Sequence, residues 1–287
     1  MALRGPPGER SVDELLSFGV INLDKPAGPS AHQVAGWVRD MAGVEKAAHA
    51  GTLDPKVTGC LPTLLGTATR AVPALQRVAK TYIAVLELHE PLPADFESVL
   101  GEFEGELYQK PPRKSAVSRR LRTRELHELT ALETEARRAL LRIGCESGTY
   151  IRKVCHDLGL ALGTGAHMGD LRRVETGPFD DRTLVTLQEF ADALAAHEAG
   201  DDGPIRKVVS PAERAIHLPE LVVARSAAEQ IAEGAPVYAP GVIEAPDVEE
   251  GLVACYTPDG AAVCLGELVG DPDAESGEVV SLTSVLV

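Results

Sequence analysis

The chain has few features that would place it in a membrane or in an oxidising compartment. None of its 287 residues lies in an apolar run approaching the roughly 18 residues of a membrane span. The first residues, MALRGPPGERSVDELL, lack the basic-then-apolar pattern of a signal peptide. The five cysteines form no CxxC pair, which argues against a disulfide framework or a zinc site. They are Cys60, Cys145, Cys155, Cys255 and Cys264. We therefore predict a cytoplasmic protein with buried thiols and no bound metal.

Basic residues are also scarce, and they are unevenly distributed. The chain has 28 Lys and Arg against 43 Asp and Glu, a net charge of −15. Residues 218–287 contain one basic residue, Arg225, against 13 acidic residues, whereas residues 1–217 contain 27 basic and 30 acidic residues. Arginine outnumbers lysine by 20 to 8. An acidic, lysine-poor surface is typical of proteins that work at high salt, where repulsion is screened, so we hypothesise a halophilic source.

Hydrophobic periodicity and capping signals predict alternating strands and helices in the first part of the chain. Strands are predicted at 19–23, 80–89 and 139–147. Helices are predicted to begin at capping boxes, formed by Ser30 with Gln33, Thr186 with Glu189, and Ser226 with Glu229. Residues 148–163 carry an amphipathic helical face directly after a strand. The segment 49–59, rich in Gly, Thr, Asp and Pro, predicts a loop.

The last part of the chain has a different pattern, with one short helix among short β segments. This pattern predicts a small barrel-like module, and the change falls near 210–218. We therefore predict two domains, residues 1–214 and 215–287. The predicted fold class is α/β (α+β), with a mixed, mainly antiparallel sheet, flanking helices and a central cleft, followed by the small C-terminal β-barrel-like domain.

Three side chains are candidates for catalytic chemistry. Asp54, in the turn HAGTLDP, presents a carboxylate outside the regular ladders, a position equally typical of an Asx turn or a helix cap. Arg152 lies about one turn into the predicted helix, where it either pairs with a carboxylate or is an ordinary surface arginine. The ring of Tyr82 either fills the core from its strand or borders a pocket and stacks on a base. Taken singly, these residues leave both alternatives open.

A basic segment at 110–124 stands out in this acidic chain. The segment KPPRKSAVSRRLRTR carries seven positive charges and no acidic residue. These residues are Lys110, Arg113, Lys114, Arg119, Arg120, Arg122 and Arg124. Because arginine binds phosphate in a forked geometry, the segment favours contact with RNA over an ordinary solvated surface.

Five motifs in register resemble one known family. They are LDKPAGPSAHQV (23–34), HAGTLDPKVTGCLP (49–62), KTY (80–82), SGTYIR (147–152) and AHMGDLRRVETG (166–177). Their order and spacing resemble TruB-type pseudouridine synthases, and within that family the catalytic subunit of archaeal H/ACA ribonucleoproteins, the dyskerin relatives. The tail that begins LVVARSAAEQIAEGAPVYAPGV resembles a PUA domain, an RNA-binding module. The resemblance covers roughly residues 18–287.

The resemblance implies a role for each matching residue. Asp54 matches the nucleophile, Tyr82 matches the ring that stacks on the flipped uracil and is a proposed proton acceptor, and Arg152 matches the partner of the nucleophile. The substrate-binding positions are matched by His49, Tyr150, Leu171 and Lys25, of which Lys25 forms with Pro26 a supporting element behind the tyrosine. The reaction involves no redox step and transfers no external group, so no cofactor is expected.

The resemblance also implies partners and substrates. It favours a guide-dependent enzyme that modifies rRNA or tRNA with an H/ACA guide RNA and three small subunits, which are Nop-type, Gar-type and L7Ae-like. The short stretch between Tyr82 and Tyr108 leaves little room for the long insertion of bacterial enzymes, which supports this form. One alternative is a stand-alone synthase of the tRNA T-loop. Another is a non-catalytic RNA-binding scaffold, against which the presence of Asp54, Tyr82 and Arg152 counts.

Overall fold

A ten-stranded sheet organises the first three quarters of the chain in the computed structural model, which describes residues 3–111, 118 and 120–287. Its strands are β1 (Gly19–Lys25), β2 (Ala47–His49), β3 (Thr58–Leu65), β4 (Lys80–Leu88), β5 (Gly105–Gln109), β6 (Arg122–Glu135), β7 (Arg138–Cys145), β8 (Ala166–Thr176), β9 (Phe179–Asp180) and β10 (Ser210–Pro211). The strand order is β10-β1-β3-β8-β4-β7-β6-β5, with β2 paired to β3 and β9 to β8. All of these pairs are antiparallel except β3 with β8.

A six-stranded sheet forms the C-terminal part. Its strands are β11 (Glu220–Val223), β12 (Val237–Tyr238), β13 (Val242–Glu244), β14 (Gly251–Tyr256), β15 (Ala262–Leu268) and β16 (Glu278–Val285). They follow the order β12-β16-β15-β14-β11-β13, and only β11 with β14 is parallel among these pairs. The predicted fold class, a mixed and mainly antiparallel sheet with helices and a small barrel-like C-terminal sheet, is confirmed.

Helices lie between the strands. They are α1 (Val12–Ser17), α2 (Ala31–Ala42), α3 (Val72–Gln76), α4 (Phe96–Glu102), α5 (Ile151–Ala161), α6 (Leu187–Glu198), α7 (Ile205–Val208) and α8 (Arg225–Ala232). Shorter 3-10 turns occupy Pro7–Glu9, Gly66–Ala71, Asp181–Thr183, Ala212–Ala215 and Ala239–Gly241. No helix in the described part of the chain is both long enough and apolar enough to cross a membrane.

Two of the predicted capping boxes are confirmed, and the third is wrong. The Ser30 side chain accepts the Gln33 N–H at the start of α2, and Thr186 caps α6 in the same way. Helix α8 instead begins at Arg225, and its N-cap residue, Ala224, has no side-chain hydrogen bond. Ser226 is therefore inside the helix. Its spacing to an acidic residue resembled a box, but the backbone turns helical one residue before the hydroxyl could cap it.

Two predicted boundaries also need correction. The segment 49–59 is mostly a loop, but His49 ends β2 and Thr58 begins β3 because each is paired in the sheet. Helix α5 begins at Ile151, so Arg152 is its second residue rather than lying a full turn inside. This places Arg152 at the helix terminus that faces the Asp54 loop.

The two sheets share a hydrophobic core. One cluster of buried side chains includes Phe18 and Leu64 beside the first sheet and Ala254, Leu265 and Leu286 from the C-terminal part. All five cysteines are buried and free, as predicted from their scattered spacing. Because a contiguous apolar core excludes water from both sheets together, the C-terminal module is packed against the rest of the chain rather than tethered to it.

Candidate active site

The loop between β2 and β3 presents Asp54 at the surface of a cavity. Its neighbours anchor it, since Leu53 and Val57 are buried in the main core. The Val57 N–H donates to the Asp54 carbonyl oxygen at 3.0 Å, which closes a tight turn. At the start of β3, a Cβ on Gly59 would lie 2.2 Å from the Arg173 carbonyl oxygen, and φ there is +98°. Only glycine allows this close approach, which brings the loop against β8.

Buried Lys25 holds the same loop from behind. Its ammonium donates to the carbonyl oxygens of Pro26 at 2.9 Å, Pro55 at 3.0 Å and Val57 at 2.8 Å. Burial lowers the pKa of Lys25, and the nearby Asp54 carboxylate opposes that shift. Lys25 lies outside the cavity lining and is wholly buried. Its contacts are those of a support for the Asp54 loop, whereas the resemblance implies a supporting element behind the tyrosine and a substrate-binding position.

Arg152 and Asp54 form an ion pair in the cavity. The Arg152 Nε lies 3.0 Å from the Asp54 Oδ2. Their side chains are 40% and 47% exposed, so the pair is open to a bound molecule. A half-exposed pair contributes only about 0–1 kcal/mol to folding, so stability alone does not explain it. The guanidinium fixes the rotamer of a carboxylate that remains accessible, which is the geometry a nucleophile needs.

Tyr82 lies in the same cavity, which has a volume of about 740 Å³. The residue is 8% exposed, and its ring packs in the main core while it also borders the cavity. Burial raises the pKa of Tyr82, and the nearby Arg173 guanidinium opposes the shift. His49, Tyr150 and Leu171, the other residues that the resemblance implies bind substrate, also line the cavity.

The three substrate-binding candidates in the cavity differ in burial and in the element that carries them. His49 Nδ1 is buried with no hydrogen-bond partner, and burial, with Arg173 and His32 nearby, lowers the His49 pKa. A neutral imidazole with an unused polar atom in a cavity is suited to contact a ligand. Tyr150 is the N-cap residue of α5, and Leu171 lies on β8 opposite Ala84. The structure therefore brings six of the seven predicted catalytic and substrate-binding residues to one cavity.

Two cationic residues of the cavity were not predicted as site residues. Arg173 is buried and donates to the carbonyl oxygens of Cys60 at 2.7 Å and Gly51 at 3.2 Å. Burial, together with the Arg173 charge, lowers the pKa of Lys80 to about 8. The sequence spacing could have identified both residues, because Lys80 is two residues before Tyr82 and Arg173 is two residues after Leu171. The period-2 alternation of a strand places such residues on one face.

The predicted RNA-contact segment is only partly described. Arg113, Lys114 and Arg119 lie outside the described residues. Lys110 and Arg120 are exposed, and Arg122 lines the cavity. Arg124 is instead paired with Glu146, Nη1 to Oε1 at 3.0 Å. Among the residues that the structure describes, no group of three His, Cys, Asp or Glu side chains is arranged to hold a metal ion.

Family models match four parts of the chain. The matches are a DKCLD (NUC011) domain at 5–35, a TruB family pseudouridylate synthase N-terminal domain at 39–94, a tRNA pseudouridylate synthase B C-terminal domain at 152–217 and a PUA domain at 219–274. The second and third include the Asp54 loop, Tyr82 and Arg152. The fourth spans most of the six-stranded sheet.

Similar proteins cover the whole chain. A probable tRNA pseudouridine synthase B of Halobacterium salinarum is 61% identical over 301 residues, which covers 100% of both chains. A protein of the same name from Haloarcula marismortui is 59% identical over 296 residues and covers 100% of this chain and 94% of the relative. These matches, with the fold and the cavity, define a pseudouridine synthase, an isomerase.

Solved structures agree with this class. A Cbf5-Nop10-Gar1 complex matches with a TM-score of 0.94 at 42% identity over 99% of this chain and 90% of that chain. An H/ACA ribonucleoprotein bound to a substrate RNA containing 2′-deoxyuridine matches with a TM-score of 0.91 at 40% identity. The match covers 99% of this chain and 90% of that chain. The chain belongs to the TruB/dyskerin family of pseudouridine synthases, as its motifs predicted.

Proposed function

We propose that this chain is the catalytic subunit of a guide-dependent RNA pseudouridine synthase, in which Asp54 is the catalytic carboxylate. The observation that carries the proposal is the Arg152–Asp54 pair at 3.0 Å in a cavity shared with Tyr82. The pair is held by elements from distant parts of the chain, a β2–β3 loop and the start of α5. An accessible carboxylate held in this way can act as a nucleophile, whereas the exposed ion pair contributes little to the stability of the fold.

The reaction breaks the N1–C1′ bond of uridine and forms a C5–C1′ bond, so the atoms of the uridine are retained. The base must first leave the RNA stack and enter the cavity. Asp54 then assists either by attacking C1′ or through a glycal route. Since Asp54 is 47% exposed, bound RNA must complete the exclusion of water. The proton on C5 moves to solvent or a cavity base, and N1 of the product gains a proton.

Tyr82 is better suited to stacking than to accepting the C5 proton. Its pKa is raised by burial, so the phenol keeps its own proton at neutral pH. Its ring lines the cavity beside Arg173, its partner across β4 and β8. An aromatic face in this position can hold the detached base while it turns.

The substrates and partners are proposed from related complexes. Relatives at 40–42% identity are solved with Nop10, with Gar1 and with a substrate RNA in an H/ACA ribonucleoprotein. We propose the same Nop-type and Gar-type partners, an L7Ae-like subunit and an H/ACA guide RNA that selects uridines in rRNA or tRNA. Residues 1–214 would carry catalysis and 215–287 would bind RNA, and the enzyme would act in the cytoplasm.

A second candidate is a stand-alone enzyme that modifies tRNA. The relatives at 59–61% identity are named probable tRNA pseudouridine synthase B, which favours this alternative. The two candidates share the cavity chemistry and differ in how the substrate uridine is chosen. Purified chain is therefore assayed on tRNA and on a guide-complementary RNA, with and without guide RNA and the small subunits. Guide-independent turnover of tRNA at the full rate would overturn guide dependence.

Asp54→Asn tests the chemistry common to both candidates. The amide keeps the size of the side chain and removes the nucleophile, so we expect pseudouridine formation to fall below detection while RNA affinity changes less than about twofold. Product formation is measured by release of the C5 hydrogen label, and affinity by filter binding in the assembled complex. Turnover near the wild-type rate would remove Asp54 from the catalytic role.

A further inference from the structure

The β5–β6 hairpin is tied to the turn that precedes helix α5. Gln109, the last residue of β5, is 2% exposed and bonds the backbone of Tyr150 on both sides. Its Oε1 accepts the Tyr150 N–H at 2.9 Å, and its Nε2 donates to the Tyr150 carbonyl oxygen at 3.2 Å. Tyr150 is the N-cap residue of α5 and has no side-chain cap of its own. The Gln109 amide therefore satisfies the Tyr150 N–H, which the start of the helix leaves open, and adds a donor to a carbonyl oxygen that already accepts the Lys153 and Val154 N–H groups.

A second tie joins the other strand of the hairpin to the same turn. Arg124 on β6 pairs with Glu146 at 3.0 Å, and its guanidinium lies against Gly148. A Cβ on Gly148 would be 3.2 Å from Arg124 Nη2, and φ there is +83°, a conformation that favours glycine. Arg124 Nε is buried and has no hydrogen-bond partner. Its Nη1, in contrast, is used within the protein, because it pairs with Glu146 and donates to the Thr123 carbonyl oxygen at 2.8 Å.

Both ties act on the residues that lead into Arg152. The turn 146–150 is followed at once by Ile151 and Arg152, whose Nε meets Asp54 at 3.0 Å. A rigid turn fixes where the first residues of a helix lie, and a displacement of about 1 Å at a reacting group can cost about 100-fold in rate. The hairpin is therefore in a position to set the geometry of the ion pair.

We propose that Gln109 and Arg124 are positioning residues that hold the 146–150 turn and so align Arg152 with Asp54. This inference rests on the catalytic role proposed for Asp54. It gives Arg124 a different role from the RNA contact that its place in the basic segment implied. Lys110 and Arg120, which are exposed, keep that predicted role.

Gln109→Ala removes both bonds to Tyr150. We expect the single-turnover rate of pseudouridine formation in the assembled complex to fall at least about tenfold, with RNA Kd within about twofold. Gln109→Glu keeps an acceptor for the Tyr150 N–H but loses the donor, so its rate should lie between those of Gln109→Ala and the wild type. Glu104→Ala is the matched control, because Glu104, just before β5, accepts the Leu129 N–H of β6 at 2.8 Å outside the cavity. An unchanged rate for Gln109→Ala would overturn the proposal.

Arg124→Gln separates positioning from RNA contact. As a positioning residue, it should lower the single-turnover rate and leave both the RNA Kd and its dependence on salt unchanged. Loss of a phosphate contact would instead weaken binding and reduce the salt slope by about 1. Arg120→Gln is the control that is expected to show this second behaviour. Weaker binding by Arg124→Gln with an unchanged rate would refute its positioning role.

A double-variant cycle tests whether the effect passes through Arg152. If Gln109 acts by aligning Arg152, then Gln109→Ala should have almost no further effect on the rate in an Arg152→Ala chain. Additive losses would contradict this route. Failure of the positioning proposal can be distinguished from failure of the proposed function. An active Asp54→Asn variant would reject the catalytic role of Asp54 itself. An inactive Asp54→Asn with an unaffected Gln109→Ala would reject only the positioning role.

Discussion

The Asp54–Arg152 pair, which we propose as the catalytic pair, is expected to contribute little to folding. Both side chains are about half exposed, and an ion pair in such a setting stabilises a protein by about 0–1 kcal/mol. Lys25, in contrast, is fully buried and bonded to three carbonyl oxygens. We expect removal of Lys25 to disturb the loop and removal of Arg152 to affect mainly the proposed chemistry.

Arg152→Ala is expected to separate activity from stability. The rate of pseudouridine formation should fall about 100-fold or more, because the carboxylate loses both its partner and its fixed rotamer. The free energy of unfolding should change by less than about 1 kcal/mol. Single-turnover kinetics and denaturant unfolding measure the two quantities. A large loss of stability with little loss of rate would reverse this assignment.

Lys80 predicts a pH dependence of stability. Its pKa falls from 10.5 to about 8 on folding, so the unfolded chain binds more protons than the folded chain between these values. The penalty for burying the ammonium is complete below about pH 8 and is relieved as pH rises towards 10.5. The stability of the wild type relative to Lys80→Met should therefore increase from pH 7.5 to pH 9.5. Denaturant unfolding at both pH values checks this, and a constant difference would show that the lysine does not titrate there.

At the scale of the elements, the starts of α2 and α8 allow a serine that caps a helix to be compared with one that does not. Ser30→Ala removes the hydroxyl that accepts the Gln33 N–H, so the free energy of unfolding should fall by about 1 kcal/mol. Ser226→Ala is the matched control, because Ser226 lies within α8 and makes no cap. Its effect should be within about 0.5 kcal/mol. Equal losses in thermal or denaturant unfolding would mean that Ser226 acts as a cap in solution.

Several of the elements followed from local sequence signals. The starts of α2 and α6 were predictable because a hydroxyl and an amide or carboxylate three residues apart bond the same turn. The buried face of α5, with Val154 and Leu158, was predictable from a 3.6-residue period. The same pattern failed for α8, since spacing does not reveal where the backbone turns helical.

Long-range partners of the site were not predictable from local pattern. Gln109 contacts Tyr150, 41 positions along the chain, and no property of the segment around Gln109 indicates that partner. The parallel pairing of β3 with β8 likewise depends on the whole sheet. Asp54, Tyr82 and Arg152 were assigned through the family resemblance, because each of them taken singly fits an ordinary structural role.

At the scale of the whole molecule, the negative charge is concentrated in the C-terminal part, whereas the hydrophobic core is shared by both parts. Residues 218–287 hold 13 acidic residues and one basic residue, whereas the buried cluster joins both sheets through side chains such as Phe18 and Leu265. Repulsion between the acidic side chains destabilises the folded state, and packing in the shared core opposes this effect. Salt shifts this balance because the screening length shortens from about 10 Å at 0.1 M to about 3 Å at 1 M.

We expect the protein to be stable in molar salt and to unfold, or to lose much of its stability, on transfer to about 0.1 M salt. Circular dichroism during stepwise dilution of KCl measures the transition. Sucrose at matched osmolality is the control for effects other than screening. Unchanged stability in low salt would reject the halophilic hypothesis, although relatives from Halobacterium and Haloarcula are 59–61% identical.

The core that joins the two sheets has a consequence for genetics. A damaging substitution at Leu265, far along the chain from Asp54, would loosen packing around Phe18 and Leu64. In a screen scored by loss of modified RNA, such an allele would give the same phenotype as one at the carboxylate. The amount of folded protein in the cell distinguishes the two kinds of allele, because only the first lowers abundance.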